Sequence, residues 1–122
     1  MRKILMIEDE EDLVGFFRQT FVAFPDVAFF SALRAREGVE IALREQPHVL
    51  ILDLRMPGMS GEEALKQIRQ ALPETKIVVV TAWEEEGTQE HIEQEFKVEG
   101  YFEKPVDLER VVERVMELLP PE

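Results

Sequence analysis

Cysteine is absent from the chain, so nothing points to a disulfide-dependent secreted fold. Long apolar runs are also missing. The longest, Val49-Leu50-Ile51-Leu52 and Ile77-Val78-Val79-Val80, are strand-length and far short of a bilayer, which excludes a transmembrane segment. The N-terminal apolar run from Ile4 to Ile7 stops at once in five consecutive acids, the wrong pattern for a signal peptide. Basic residues are scarce, 14 against 26 acids for a net charge of −12, and phosphate backbones demand clustered Lys and Arg. Direct nucleic-acid binding is therefore excluded, and a basic partner surface or a cation is favoured. The default location is the cytoplasm, with no membrane partner. Repeats, low-complexity stretches and linkers are lacking as well. What remains is a chain of 122 residues, 45% hydrophobic and 33% charged, the length and composition of one soluble globular domain.

Along that chain apolar runs alternate with helical patterns. A strand over Lys3–Ile7 precedes a helix over Glu10–Phe24, with Leu13, Phe16, Phe17, Phe21 and Phe24 near helical spacing. After Pro25-Asp26 come a short strand, Val27–Phe30, and a helix over Ala35–Glu45 with Val39, Ala42 and Leu43 on one face, closed by Pro47. Val49–Leu54 is the most apolar strand. Ser60-Gly61-Glu62-Glu63 reads as a capping box that opens a helix with Ala64, Leu65, Ile68, Ala71 and Leu72 on its core face. Strand Lys76–Thr81, a polar helix from about Thr88 to Phe96, strand Gly100–Glu103 and a helix from about Asp107 complete the series. Near-continuous apolar strands indicate a sheet covered by helices on both faces. With right-handed crossovers, the expectation is an α/β fold: a doubly wound, five-stranded parallel sheet of flavodoxin-like order 2-1-3-4-5.

In such sheets the ligand crevice lies beyond the carboxyl ends of the strands, where the strand order reverses. The first strand ends in Glu8-Asp9, the third at Asp53, the fourth at Thr81, and the fifth runs into Lys104-Pro105. Clustered carboxylates repel one another, which raises pKa values or recruits a hard cation, and an oxygen-only set suits Mg²⁺ (with Mn²⁺ the alternative). Asp53 could then act as a nucleophile that forms an acyl phosphate, with the metal and Lys104 neutralising phosphoryl charge and Thr81 donating a hydrogen bond. Each residue alone has an ordinary explanation as a turn or a strand end. Their coincidence at the correct ends of one five-unit fold favours chemistry. Glu10, Glu11 and Asp12 are assigned only to complementing a helix N-terminus. His48 and His91 are poor candidates for phosphorylation or metal binding, and Met6, Met56, Met59 and Met116 read as packing.

The stretches Ile4-Leu5-Met6-Ile7-Glu8-Asp9-Glu10, Leu52-Asp53-Leu54-Arg55-Met56-Pro57-Gly58-Met59-Ser60-Gly61, Val80-Thr81-Ala82 and Lys104-Pro105 closely resemble the receiver domain of two-component response regulators. The resemblance spans essentially the whole chain. It implies that Asp53 takes a phosphoryl group from the phosphohistidine of a sensor histidine kinase or phosphotransfer protein. It implies Mg²⁺ on Asp9, Asp53 and the backbone carbonyl of Arg55, with Glu8 assisting through water, and a cis Lys104-Pro105 peptide. Thr81 and Tyr101 would form a switch pair that remodels a surface built from the fourth helix, fifth strand and fifth helix, read by an output partner, an effector domain or a second copy of the phosphorylated chain. Such a domain is not an enzyme acting on other substrates; it catalyses only its own phosphorylation and dephosphorylation.

Some positions depart from the family pattern. Glu8 replaces the commoner Asp, and Lys97-Val98 stands where Gly-Ala often ends the fourth helix, putting lysine at a left-handed cap. Ala82 keeps the rim open, and Arg55 and Trp83 flank the site, where they would shield the acyl phosphate from water. With only Ile92 and Phe96 as good core residues, the fourth helix reads either as an easily shifted element or as an ordinary polar surface helix. Two other functions fit these residues less well. A phosphorylation-independent interaction module usually lacks one of the five site residues, all present here. A nucleotide or flavin enzyme needs a glycine-rich turn where this chain has Glu8-Asp9-Glu10-Glu11. No effector segment follows Pro120-Pro121-Glu122, so the expectation is either a stand-alone receiver or a piece of a longer regulator.

Overall fold

A computed structural model describes residues 1–82 and 84–122. Among these residues, the order is β1 (Arg2–Ile7), α1 (Glu11–Phe21), β2 (Val27–Ala32), α2 (Ala35–Glu45), β3 (Val49–Leu52), α3 (Gly61–Ala71), β4 (Lys76–Thr81), α4 (Thr88–Phe96), β5 (Gly100–Glu103) and α5 (Leu108–Leu118). The five strands form one parallel sheet in the order β2-β1-β3-β4-β5, as the apolar strand pattern predicts. Among the described residues, no helix is long and apolar enough to cross a membrane.

Both faces of the sheet are covered, and the strand residues divide between them. Leu5, Ile7, Leu50, Leu52, Ile77 and Val79 pack with α2, α3 and α4. Their neighbours Ile4, Met6, Val49, Ile51, Val78 and Val80 pack with α1 and α5. Every one of these side chains is essentially inaccessible to solvent, so each contributes about 1.5–3 kcal/mol from burial. This two-sided burial is the reason β1, β3 and β4 read as unbroken apolar runs.

Several boundaries differ from the sequence reading. β3 stops at Leu52 rather than Leu54. The Asp53 carboxylate accepts a hydrogen bond from the Arg55 N–H at 2.8 Å, and this local bond turns the chain out of the sheet. α1 ends at Phe21 rather than Phe24, where Phe24 N–H bonds back to the Phe21 carbonyl in a turn. β2 runs on to Ala32 because its register with β1 continues to the Ile7–Ala32 pair. On α2 the buried stripe is Ala35, Gly38, Val39 and Ala42, whereas Leu43 lies at its flank and is 47% exposed. Similarly, Ala71 of α3 is exposed, although Ala64, Leu65 and Ile68 are buried.

The turn after β3 is held close to α3. Ser60 accepts a hydrogen bond from the Glu63 N–H at 3.1 Å as its N-cap. Gly61 lies so near the preceding turn that a Cβ there would come within 2.3 Å of the Leu54 Cα. Only glycine permits this approach, which fixes the loop that carries Asp53.

Candidate functional site

The carboxyl ends of β1 and β3, neighbours in the sheet, bring Glu8, Asp9 and Asp53 together. Each contributes a carboxylate oxygen to a cluster whose members lie within 4.8 Å of one another. Glu8 is 1% and Asp53 3% exposed, whereas Asp9 opens to solvent. Backbone pairing sets these positions: Glu8 N–H bonds to the Ala32 carbonyl and Asp53 N–H to the Ile7 carbonyl, each at 3.0 Å. The sheet edge thus carries two buried acids and an exposed one across the β1–β3 junction.

Lys104 closes the cluster from the end of β5. Its N–H bonds to the Thr81 carbonyl at 2.7 Å, and the peptide to Pro105 is cis, as the resemblance implied. Its ammonium lies 2.8 Å from Glu8 Oε1, 2.8 Å from Glu10 Oε1 and 3.3 Å from Asp53 Oδ2. The Glu8 contact is a close, buried ion pair. Glu8 Oε2 accepts from the Glu10 N–H at 3.1 Å.

These contacts set the ionisation of the site. Burial pushes Glu8 up to about 7; Lys104 and the Glu10 N–H oppose the rise, and the Asp53 charge adds to it. Burial also pulls the Lys104 ammonium down, but Glu10, Glu8 and Asp53 outweigh it and hold Lys104 above its ordinary value. Glu8, Asp9, Asp53 and Lys104 carry two net negative charges when ionised, a deficit that a divalent cation neutralises. The all-oxygen donor set of Glu8, Asp9 and Asp53 fits a hard cation such as Mg²⁺.

Thr81 ends β4 fully buried, and its hydroxyl has no hydrogen-bond partner. A buried hydroxyl with an unused donor is unfavourable unless an acceptor arrives. Tyr101 sits half-buried on β5 against the α2–α4 side of the core and does not bond the Thr81 hydroxyl. Burial raises the Tyr101 pKa, and the nearby Glu84, Glu103 and Glu93 add to it. Ala82 is exposed on the rim. Arg55 is exposed too, and its guanidinium pairs with Glu84 at 3.5 Å. Trp83, the other flanking residue named from sequence, lies outside the described residues.

One contact at the site escaped the sequence reading. Glu10 was assigned only to the α1 N-terminus, yet its side chain makes no cap hydrogen bond and reaches Lys104 instead. The signal available was its place as the third consecutive acid after β1, directly on the rim. Of the two histidines, His48 Nδ1 accepts from the Lys3 N–H at 2.9 Å, and His91 pairs with Glu62. Met6 and Met56 are buried in the core, and Met59 and Met116 pack against it.

Fold and site together define a doubly wound α/β domain with a cation-ready carboxylate cluster and a lysine at the carboxyl edge of its sheet. Residues 4–116 match the family described as the response regulator receiver domain, and the chain belongs to that family, the CheY-like receivers of two-component signalling. Among its relatives is sporulation initiation phosphotransferase F of Bacillus subtilis, 28% identical over 97% of this chain and 94% of that protein. Another is the polar-differentiation response regulator DivK of Brucella ovis, 27% identical over 97% of this chain and 96% of DivK. The solved receiver domain of AraT, a response regulator from Geobacillus stearothermophilus, superposes with a TM-score of 0.80 at 29% identity, covering 96% of this chain and 92% of that one.

Proposed function

We propose that this receiver domain is a phosphoacceptor in which Asp53 takes the phosphoryl group of a phosphohistidine on a sensor histidine kinase or phosphotransfer protein. The observation that carries this reading is the Asp53 carboxylate, 3% exposed, 3.3 Å from the Lys104 ammonium and in the same cluster as Glu8 and Asp9. An Asp53 oxygen attacks phosphorus, the donor's N–P bond breaks, and an O–P bond forms. The donor imidazole keeps the N–P electron pair. Glu8, Asp9, Asp53 and the Arg55 carbonyl would hold Mg²⁺, which when bound offsets charge on the phosphoryl oxygens. Lys104 remains beside Asp53 and pairs with one phosphoryl oxygen. The unused Thr81 hydroxyl finds its missing acceptor in another. Later attack by water returns the Asp53 carboxylate and inorganic phosphate, so the chain is altered and reset and acts on no other substrate.

The signal leaves through the α4-β5-α5 surface. Thr81 is at the end of β4 and Tyr101 on β5, so movement of Thr81 toward the phosphoryl group frees space into which Tyr101 turns. An output domain or protein reads the changed surface. The receiver works in the cytoplasm, where its kinase's phosphohistidine is presented. The test is intact mass after incubation with Mg²⁺ and acetyl phosphate. The wild-type chain should gain one phosphoryl group, whereas Asp53→Asn and a Mg²⁺-chelated sample should gain none. Equal labelling of Asp53→Asn would refute the proposal.

A further inference from the structure

α4 buries only Ile92 and Phe96, so little apolar surface holds it to the sheet. Besides the apolar cluster that Ile92 and Phe96 share with Leu65 and Ile68 of α3, polar contacts join the two helices, and they differ between the two ends of α4. Because α3 and α4 each cross back from the site edge, both have their N-termini near the site and their C-termini at the far edge. At the site end, His91 Nε2 meets Glu62 Oε1 at 2.7 Å, with the side chains 55% and 52% exposed. The N-cap there is Gly87 with φ of 91°, with no side-chain cap bond and open space around the glycine.

At the far end the attachment is dense. Arg69, in the last turn of α3 and 18% exposed, donates from Nε to the Phe96 carbonyl at 2.9 Å and from Nη2 to the Lys97 carbonyl at 3.4 Å. These are C-terminal carbonyls of α4 that the helix cannot satisfy itself. The same guanidinium donates to the Thr75 carbonyl at 2.7 Å, the Pro73 carbonyl at 3.2 Å and the Glu99 carboxylate at 3.4 Å. Glu99 in turn accepts from the Ile77 N–H at 2.6 Å, tying the clasp to β4. Lys97 adopts the left-handed cap, φ 53°, that a lysine ordinarily avoids. The Arg69 bond to its carbonyl helps hold that conformation.

We propose that Arg69 is a positioning residue that pins the C-terminal end of α4, so that the helix swings about this fixed end when its site end is released. The planar fork with five donors suits this task, because one side chain can serve carbonyls from the α3–β4 turn and the α4 cap together. The His91–Glu62 pair is the weak, solvent-screened latch, and Gly87 is the hinge. The pin itself does not depend on phosphorylation. That the swing carries the signal rests on the reading above.

The test is amide hydrogen exchange on the free chain without a phosphoryl donor, with β1 and β3 as the measure of global opening. Arg69→Ala should lower protection at residues 94–98 by about tenfold beyond any change in β3. Glu62→Ala should loosen 88–91 and leave 94–98 protected. Should Arg69→Ala not fold, Arg69→Lys is read the same way, since it keeps the charge but cannot serve the same set of acceptors. Protection at 94–98 that falls no more than β3 overturns the pin. So does Glu62→Ala loosening the far end as much as the Arg69 variant does. An intact pin in a chain that Mg²⁺ and acetyl phosphate fail to label would sink the phosphoacceptor reading alone.

Discussion

Glu10 and Lys104 lie 2.8 Å apart, and a lysine held there must let go before it can pair with a phosphoryl oxygen. Glu10 is 59% exposed, so the pair is solvent-screened and worth no more than about 1 kcal/mol. Glu10→Gln should therefore raise the phosphorylation rate with acetyl phosphate by up to about fivefold, with Asp53 still the acceptor. An unchanged rate would mean that Glu10 does not restrain the lysine. Thr81 permits a cleaner separation. Thr81→Val replaces an unpartnered buried hydroxyl by a methyl of similar shape, so urea unfolding should show unchanged stability or a gain of about 1 kcal/mol. The same variant should still be phosphorylated but lose the phosphorylation-dependent change around Tyr101, read by NMR shifts of β5. A marked loss of stability would show that the hydroxyl is already satisfied.

Glu8 supplies a pH dependence at the same scale. Its folded pKa, about 7, lies above the ordinary value of 4.5, so its ionisation favours the unfolded chain. The penalty is absent below about 4.5, grows as pH rises between the two values and is complete above about 7. Metal-free wild type should thus lose stability relative to Glu8→Gln from pH 5 to pH 8, with the variant ahead by about 1–2 kcal/mol at the top. Saturating Mg²⁺ should shrink or reverse the gap. A gap that does not vary with pH would contradict the cause given for the raised pKa.

Among the elements, the order and type of all five strands and helices were legible because each strand of the centre is apolar on both faces. The strand ends then delivered Glu8, Asp9, Asp53, Thr81 and Lys104 to one rim. What sequence did not reveal was side-chain reach. A carboxylate after β1 reads as a complement to the helix dipole, and Arg69 stands out by no pattern. Glu10 instead crosses to Lys104, and Arg69 to carbonyls that arrive from distant segments. Leu43 misled for a simpler reason: spacing from Val39 defines a stripe but not its centre, which Ala35 and Gly38 shift away from it. The β3–α3 connection offers the sharpest element-scale prediction. Gly61→Ala would drive a Cβ into the Leu54 backbone, which cannot move aside as a side-chain tip can. It should cost at least about 2 kcal/mol in denaturant unfolding and slow labelling of Asp53 by displacing its loop. A neutral Gly61→Ala would show that the turn is free to relax.

Over the whole molecule, a stiff sheet carries a charged rim at one edge, and a helix that buries only Ile92 and Phe96 lies beside it. Under the proposed function, charge would change at the rim on phosphorylation, and the core behind it is too well packed to absorb that change. Movement would then be left to α4 and to the half-buried Tyr101. The net charge of −12 makes the resting rim inhospitable to an anionic donor unless a cation and Lys104 offset it. In a phosphoacceptor built this way, Asp53 is the atom-level acceptor. The most direct measurement is to phosphorylate the chain with Mg²⁺ and acetyl phosphate, reduce any acyl phosphate with borohydride, and locate the reduced residue by peptide mass spectrometry. The result predicted is a single reduced site at position 53, dependent on Mg²⁺. Reduction at another carboxylate, or none in a sample that holds Mg²⁺, would contradict it.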